Sequence, residues 1–378
     1  MSAGRPSTEQ TAAAVVGDGR SRVVRDLVLV VLFAGLLLVL PSILRSLYGQ
    51  ASVSYLSLGI KAVGLAVLAL TWDIVARTGQ LSLAHAAFYG AGAYAAAVLF
   101  KLTGAPLWLG IPVAGAVAAL LALVLGSATL RLYGIYFAIA SLAFTEVVKV
   151  IVQSLPFSVT GGTVGTNLPP LFRPVFVAGE MERWEVAFLR NQGYFLVYVG
   201  VLVLTIVISV LMRNSRLKHA FTAIRTNEFV AGVMGVNPAR YKLIAFVVSS
   251  FLVGMLGAVE AHRFGSVNPD STFAVHTTVL ALVTPIFGGL YTTVGPILAA
   301  GVLSGVEETL KRVLSDGYLV AYGVVLVVSI LFMPRGLVGL VRQLTARRAA
   351  NADATPGGSA GGYVPRKDPA AQEEEHDA

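Results

Sequence analysis

The chain carries apolar runs of about 18 or more residues that recur along most of its length, and these runs restrict the possible folds more than any other feature. A helix of roughly 20 apolar residues crosses a hydrocarbon core of about 30 Å. An open sheet would leave unpaired backbone groups in lipid, so helices are the architecture that suits such runs. Apolar residues make up 56% of the chain and charged residues only 13%, against roughly 25% charged in an average soluble domain. The sequence therefore predicts an all-α polytopic membrane protein.

The pattern predicts about ten transmembrane helices. The predicted spans are 27–44, 53–72, 80–100, 107–126, 134–153, 194–212, 242–261, 278–291, 294–311 and 318–333. Eight spans plus a re-entrant pair are the alternative, because GGLYTTVGP at 288–296 interrupts the apolar stretch there. Interrupted segments are tolerated in membranes where protein or a water-filled cavity covers the backbone. We therefore expect this break to lie inside the protein.

Basic residues indicate the orientation of the chain. Of the 28 Lys and Arg residues, four lie within 1–26, six in the loop 212–242 and six from Arg335 onward. By the positive-inside rule these segments are cytoplasmic, and residues 154–193 form an external loop. We expect disordered cytoplasmic tails at 1–26 and 343–378 around a membrane domain at 27–342. The net charge of +8 then reflects topology, and no nucleic-acid partner is expected.

The sequence lacks the common motifs of enzymes and metal sites. It has no G-x-x-x-x-G-K-[ST] phosphate loop, no H-E-x-x-H zinc pair, no G-x-S-x-G nucleophile elbow and no cysteine. No catalytic residue, metal or cofactor is therefore predicted. If the protein uses ATP, another chain supplies the hydrolysis.

Ionisable residues in or near the predicted spans are candidates for function, because charges at bilayer depth are costly. They are Lys61, Asp73, His85, Glu146, Lys149, Glu260, His262, Glu307 and Glu308. Asp73, Glu260 and His262 fall at predicted span ends, where solvation at the interface explains them. Glu146 and Lys149 are three apart on one helix and could neutralise each other, or Glu146 could belong to a substrate path. Lys61, about eight residues into its span, does not define a path alone.

Seven fragments in order resemble one family. They are GQLSLAHAAFYGAGAY (79–94), GIYFAIASLAFTEVVKV (134–150), TGGTVG (160–165), AIRTNEFVAGVMGVNPARYKLIAF (223–246), VNPDSTF (267–273), FGGLYTTVGPILAA (287–300) and FMPRGLVGL (332–340). Together they are similar to the LivM-type permeases of branched-chain amino acid ABC importers. The resemblance implies a multi-pass protein of the bacterial inner membrane. Its implied partners are a LivH-like second permease, two cytoplasmic ATP-binding subunits and an extracytoplasmic solute-binding protein.

The resemblance places a coupling helix for the ATP-binding subunits in the loop 212–242. The residues suit that role, because Ser215 can cap a helix running roughly from Leu217 to Met234 that ends at Gly235 and Asn237-Pro238. The coupling residues we predict are Arg225, Glu228, Ala231 and Gly235. Many other ABC importer permeases have E-A-A-x-x-x-G here, whereas this glycine follows Glu228 by seven positions. That spacing favours the ten-helix second class of importers. The alternative is a helix lying on anionic lipid.

A path or gate is predicted from two polar clusters. Its residues are Gln80, Ser82, His85, Glu146, Thr160, Gly161 and Gly162. A polar helix start offers donors to a carboxylate, although Gln80 and Ser82 would equally serve as caps of the helix 80–100. The predicted substrate is a branched-chain or related small amino acid. Urea or short amides, which related permeases carry, and a self-sufficient ion-coupled carrier remain the alternatives.

Overall fold

The structure is a computed structural model that describes residues 8–129, 131–132, 134–168, 172, 182–314, 317–332 and 336–340. The described helices are α1 (Thr8–Tyr48), α2 (Ser52–Ala76), α3 (His85–Thr103), α4 (Leu107–Thr129), α5 (Ile135–Ser154), α6 (Phe157–Thr160), α7 (Arg183–Asn214), α8 (Leu217–Thr226), α9 (Glu228–Val233), α10 (Pro238–Phe264), α11 (Pro269–Thr272), α12 (Val275–Gly288), α13 (Val294–Leu314) and α14 (Tyr318–Phe332). A 3₁₀ turn at Gly49–Ala51 joins α1 to α2. Two short strands, β1 (Thr166–Asn167) and β2 (Ser266–Val267), pair antiparallel.

The all-α polytopic fold predicted from the sequence is confirmed. Each predicted span overlaps a helix, although α12 and α14 have only 14 and 15 residues and the span predicted at 278–291 runs past the end of α12. Within the described residues seven helical stretches are long and apolar enough to cross a membrane. That number treats Val24–Ala76, which joins α1 to α2, as one stretch. The charged helix α13 is not among the seven. The count of about ten spans therefore stays a prediction.

Three predicted boundaries need correction. Helix α1 begins at Thr8, within the stretch 1–26 that the sequence assigned to a disordered tail. Helix α7 begins at Arg183 instead of 194, because Glu182 and Glu185 form a capping box that closes its first turn. Helix α3 begins at His85 instead of 80. The C-tail predicted at 343–378 lies outside the described residues.

The core of the membrane unit, which extends to Gly339, centres on α2 and α10. Helix α2 packs against α7, α12 and α13, and α10 packs against α3 and α4. Small residues let α3 and α10 approach closely, because a Cβ on Gly92 would overlap the carbonyl of Gly254, and one on Gly257 would overlap that of Tyr89. The two helices therefore touch along their backbones.

The predicted break between α12 and α13 is present at residues 289–293. Tyr291 has a positive φ of 65°, and its backbone N–H donates to Oδ1 of Asp73 at the end of α2 at 2.6 Å. Asp73 therefore satisfies this backbone amide, but the break is only partly inside the protein, since the Tyr291 residue is 40% exposed.

Candidate functional site

Residues 77–84, here called the unwound segment, connect α2 to α3 without helical hydrogen bonds after residue 79. Groups on three neighbouring helices supply the backbone partners that the segment and the start of α3 need. The contacts are Leu83 N to Ser141 Oγ on α5 at 2.8 Å, Ala86 N to Thr278 Oγ1 on α12 at 3.0 Å, and Trp72 Nε1 on α2 to the Ser82 carbonyl at 2.9 Å. The segment is thus fixed between several helices.

The predicted gate residues Gln80, Ser82 and His85 lie in or next to this segment. Their exposures are 4%, 0% and 1%, so all three are buried. His85 Nε2 lies 3.3 Å from Ser249 Oγ on α10, which donates to the Thr71 carbonyl on α2 at 2.8 Å. Because α3 starts at His85, Gln80 and Ser82 do not begin a helix as the cap interpretation required. Their packed position suits a closed constriction.

Thr160, Gly161 and Gly162 lie apart from that cluster. Thr160 Oγ1 donates to the Val152 carbonyl near the end of α5 at 3.0 Å, and Gly161 turns the chain with a φ of 76°. Ser141 and Val152 are eleven residues apart on α5, or about 16 Å at 1.5 Å per residue. The two predicted clusters therefore sit at different depths and form no single site.

Glu146 is exposed on α5. Of the two possibilities left open for Glu146, the pair with Lys149 is not formed: Lys149 Nζ instead lies 2.8 Å from Asp270 Oδ1 on the short helix α11. The three-residue spacing on α5 made the local partner plausible. The fold instead brings a carboxylate from a distant part of the chain.

The loop 212–242 contains two helices, α8 and α9, instead of the single one predicted from Leu217 to Met234. Asn227 interrupts it with extended angles, and its side chain accepts from Val230 N and so caps α9. Ser215 Oγ accepts from Leu217 N at 3.3 Å, although the N-cap position of α8 is Arg216. Asn237 caps α10, as predicted from Asn237-Pro238.

The predicted coupling residues mostly face inward. The Arg225 guanidinium lies 3.9 Å from the centre of the Tyr291 ring, in the break between α12 and α13. Glu228 forms an ion pair with Lys242 on α10, and Ala231 is 3% exposed. Gly235 follows the end of α9 with a φ of 86°. Arg225 and Glu228 thus attach the loop to the membrane helices, whereas Gly235 is exposed.

One part of the loop's outer surface is apolar, although Arg216, Lys218 and Arg240 are exposed elsewhere on the loop. The apolar part consists of Phe229, Val230, Val233 and Met234, exposed by 81%, 52%, 73% and 79%. We call these four residues the α9 face. Phe229 and Val233 are exposed on this face, whereas Phe221 and Ile224 are buried on α8. The break at Asn227 separates the two pairs, and single-helix periodicity could not show it.

A charged chamber lies at the far end of α10. Three adjoining cavities, of about 350, 180 and 440 Å³, share Glu260, and Lys61 borders two of them. Lys61 Nζ lies 2.6 Å from Glu307 Oε1 on α13, which also binds Lys311 Nζ at 2.9 Å. Sequence interpretation discounted Lys61 and Glu260 separately. The signal it missed is the pairing of charges on three different helices.

The charged chamber and the α9 face are far apart. Helix α10 begins at Pro238, shortly after the α9 face, and Glu260 lies near its other end. Its 27 residues form a helix about 40 Å long. Buried Asp73 and Arg77, with Tyr291 bonded to Asp73, lie at the loop end of α2. Lys61 is twelve residues before Asp73 on the same helix, or about 18 Å away. Helices α2 and α10 therefore connect the two regions.

Comparison with known proteins identifies a family and several relatives. Residues 54–333 match the model of the family described as branched-chain amino acid transport system, permease component. The chain is 33% identical to the high-affinity branched-chain amino acid transport system permease protein LivM of Salmonella typhimurium (strain LT2), over 71% of this chain and 66% of that protein. It is 32% identical to LivM of Escherichia coli (strain K12), over 73% and 68%. It is 27% identical to LivH of the same Escherichia coli strain, over 48% and 58%. No solved structure matches it.

Proposed function

Because the chain belongs to the family of branched-chain amino acid transport permeases, we propose that it forms part of the membrane path of an ABC importer. The substrate is a branched-chain or related small amino acid. The family match over residues 54–333 carries this proposal, since it includes every helix from α3 to α13. The relatives and the apolar helices make the chain a multi-pass protein of the bacterial inner membrane.

The α9 face is the surface we assign to an ATP-binding subunit. An exposed apolar patch on a short amphipathic helix suits insertion into a groove of a partner. Arg225 and Glu228 would pass movement of that helix to the α12–α13 break and to α10, which they contact. ATP is then hydrolysed on partner chains, and this chain has no enzymatic activity of its own.

We propose two further partners, a second permease and a solute-binding protein. The chain resembles both LivM and LivH, so we propose that it pairs with a second, LivH-like permease. A solute-binding protein delivers substrate at the opposite end from the α9 face. The basic loop 212–242 and both termini are cytoplasmic on this proposal, in line with the positive-inside rule.

Co-expression of the four membrane and ATP-binding components tests the proposal. We expect them to co-purify in mild detergent, and we expect reconstituted vesicles to take up leucine when ATP and the binding protein are present. Ion-driven leucine uptake by this chain alone would contradict the importer assignment.

A matched pair of variants tests the docking surface. Phe229→Asp places a charge on the α9 face, and we expect it to abolish co-purification of the ATP-binding subunits with the permease still inserted. Phe157→Asp is the control, since Phe157 is 69% exposed on α6, away from the loop. Equal ATPase recovery with both variants would show that the α9 face is not the docking surface.

A further inference from the structure

The charged chamber is lined by equal numbers of positive and negative groups. The cations are Lys61, Arg263 and Lys311, and the carboxylates are Glu260, Glu307 and Glu308. They come from α2, α10 and α13, three helices of the membrane core. Charges among membrane helices are costly and usually face a cavity or a partner. Their concentration around connected cavities indicates a polar ligand.

Two polar atoms that border the chamber have unused hydrogen-bonding capacity. Glu307 Oε2 and the Tyr198 hydroxyl, which border the 180 Å³ cavity, are buried with no hydrogen-bond partner among the described residues. Glu260 touches Arg263 only at 3.5 Å, beyond a good hydrogen bond, and its side chain is 20% exposed. A structural clamp between α2 and α13 explains the Lys61–Glu307 pair. It leaves Glu260 without a role.

The same cavity has an apolar wall. It is formed by Ile60, Leu65, Leu68, Leu256 and Leu280, beside Lys61, Glu260 and Glu307. A cavity of about 150 Å³ lined by aliphatic and aromatic residues holds benzene, so one of about 180 Å³ accommodates a branched aliphatic side chain. Apolar and charged surfaces thus meet in one cavity.

We propose that the charged chamber binds the transported amino acid as a zwitterion, with Lys61 contacting its carboxylate and Glu260 its ammonium group. This inference rests on the proposed import function and names the residues that hold the substrate within this chain. A zwitterion has no net charge, so it enters a chamber of three cations and three carboxylates without unbalancing it. A lone anion or cation would leave one buried charge uncompensated. Urea has no charge to pair with these six groups.

Direct binding to the purified complex tests this assignment. The complex of both permeases and both ATP-binding subunits is mixed with radiolabelled leucine without the binding protein, so that only the membrane site is measured. We expect leucine to bind, whereas leucinamide, 4-methylpentanoate and urea compete poorly. Leucinamide lacks the carboxylate and 4-methylpentanoate lacks the ammonium group, so each tests one contact.

Lys61→Met and Glu260→Gln remove one charge each with little change of volume. Each should weaken leucine binding about tenfold or more, the loss expected for a charge-assisted hydrogen bond. Lys61→Met should also bind leucine and leucinamide equally, and Glu260→Gln should bind leucine and 4-methylpentanoate equally. If Lys61 and Glu260 had a purely structural role, the ratio of leucine affinity to analogue affinity would not change. Lys149→Met is the control, since Lys149 pairs with Asp270 outside the chamber.

The inference would be overturned if both variants bound leucine as tightly as the wild type. It would also be overturned if each variant bound leucine, leucinamide and 4-methylpentanoate more weakly by the same factor. A wild-type complex that does not bind leucine would overturn it as well. Uptake by the complete importer separates this result from the proposed function. If importers with Lys61→Met or Glu260→Gln take up leucine as well as the wild type does, only the proposed site is refuted. If the wild-type importer takes up no leucine, the import function itself is refuted.

Discussion

Asp73 shows how one residue holds two parts of the membrane domain together. Its side chain is fully buried, and Oδ2 accepts two hydrogen bonds from Arg77 at 2.9 and 2.8 Å. Oδ1 accepts from the Tyr291 backbone at 2.6 Å. The Arg225 guanidinium of α8 packs on the Tyr291 ring. Asp73 therefore fixes the end of α2 to the α12–α13 break and, through that break, to the coupling loop.

Replacing Asp73 with alanine should destabilise the protein strongly. Arg77 would remain buried without its carboxylate, and breaking a buried pair from one side costs about 3–5 kcal/mol. The measurement is thermal unfolding of the purified protein in detergent. Glu185→Gln is the comparison, because its pair with Arg45 is partly exposed and contributes about 0–1 kcal/mol. Similar unfolding temperatures for the two variants would disprove the role of Asp73.

Individual residues could be predicted from the sequence only where their partners are local. Asn237 and Pro238 begin α10 as predicted, because a cap depends on neighbours within a few residues. Lys61 could not be given a role, since its partner Glu307 lies on α13 and the sequence does not show which helices pack together. The single helix expected from Leu217 to Met234 did not separate α8 from the α9 face, because the break at Asn227 depends on one cap.

The close contact between α3 and α10 depends on the small size of the residues between them. Gly92→Ala should separate the two helices, because the new methyl group would meet the Gly254 backbone, which cannot rotate away. Overpacking of this kind costs about 1–3 kcal/mol. Gly200→Ala on α7 is the matched control, since a Cβ there meets nothing within 4 Å. The unfolding temperature should fall for the first variant only; equal values would show that the close approach is not needed.

The elements themselves were largely visible in the sequence. Apolar length alone locates the long helices, because each must bury its backbone bonds in lipid. The predicted helix ends were less accurate where a capping box sets the first residue, as at Glu182. They were also less accurate at residues 80–84, a polar stretch that resembles a helix start but is bonded to hydroxyl groups of other helices. Those groups are distant in sequence.

At the scale of the whole molecule, α2 and α10 join the charged chamber to the α9 face. The chain has no cysteine, so single introduced cysteines report orientation without background. Met234→Cys on the α9 face should react with an impermeant thiol reagent only from the cytoplasm, and Val164→Cys, 72% exposed beside β1, only from outside. Labelling of both from one side would contradict the predicted topology.

The unwound segment limits the motions available to the transport cycle. The Leu83 amide donates to the Ser141 hydroxyl on α5, the Leu83 carbonyl accepts from the Thr278 hydroxyl on α12, and the Ser82 carbonyl accepts from Trp72 on α2. In a medium without water each lost bond carries a penalty of several kcal/mol. If one of these helices moved away alone, a backbone N–H or C=O of the segment would lose its hydrogen-bond partner. The parts of α2, α5 and α12 that hold the segment must therefore travel with it as one body, or water must enter as they separate, so that hydration at this point would accompany opening.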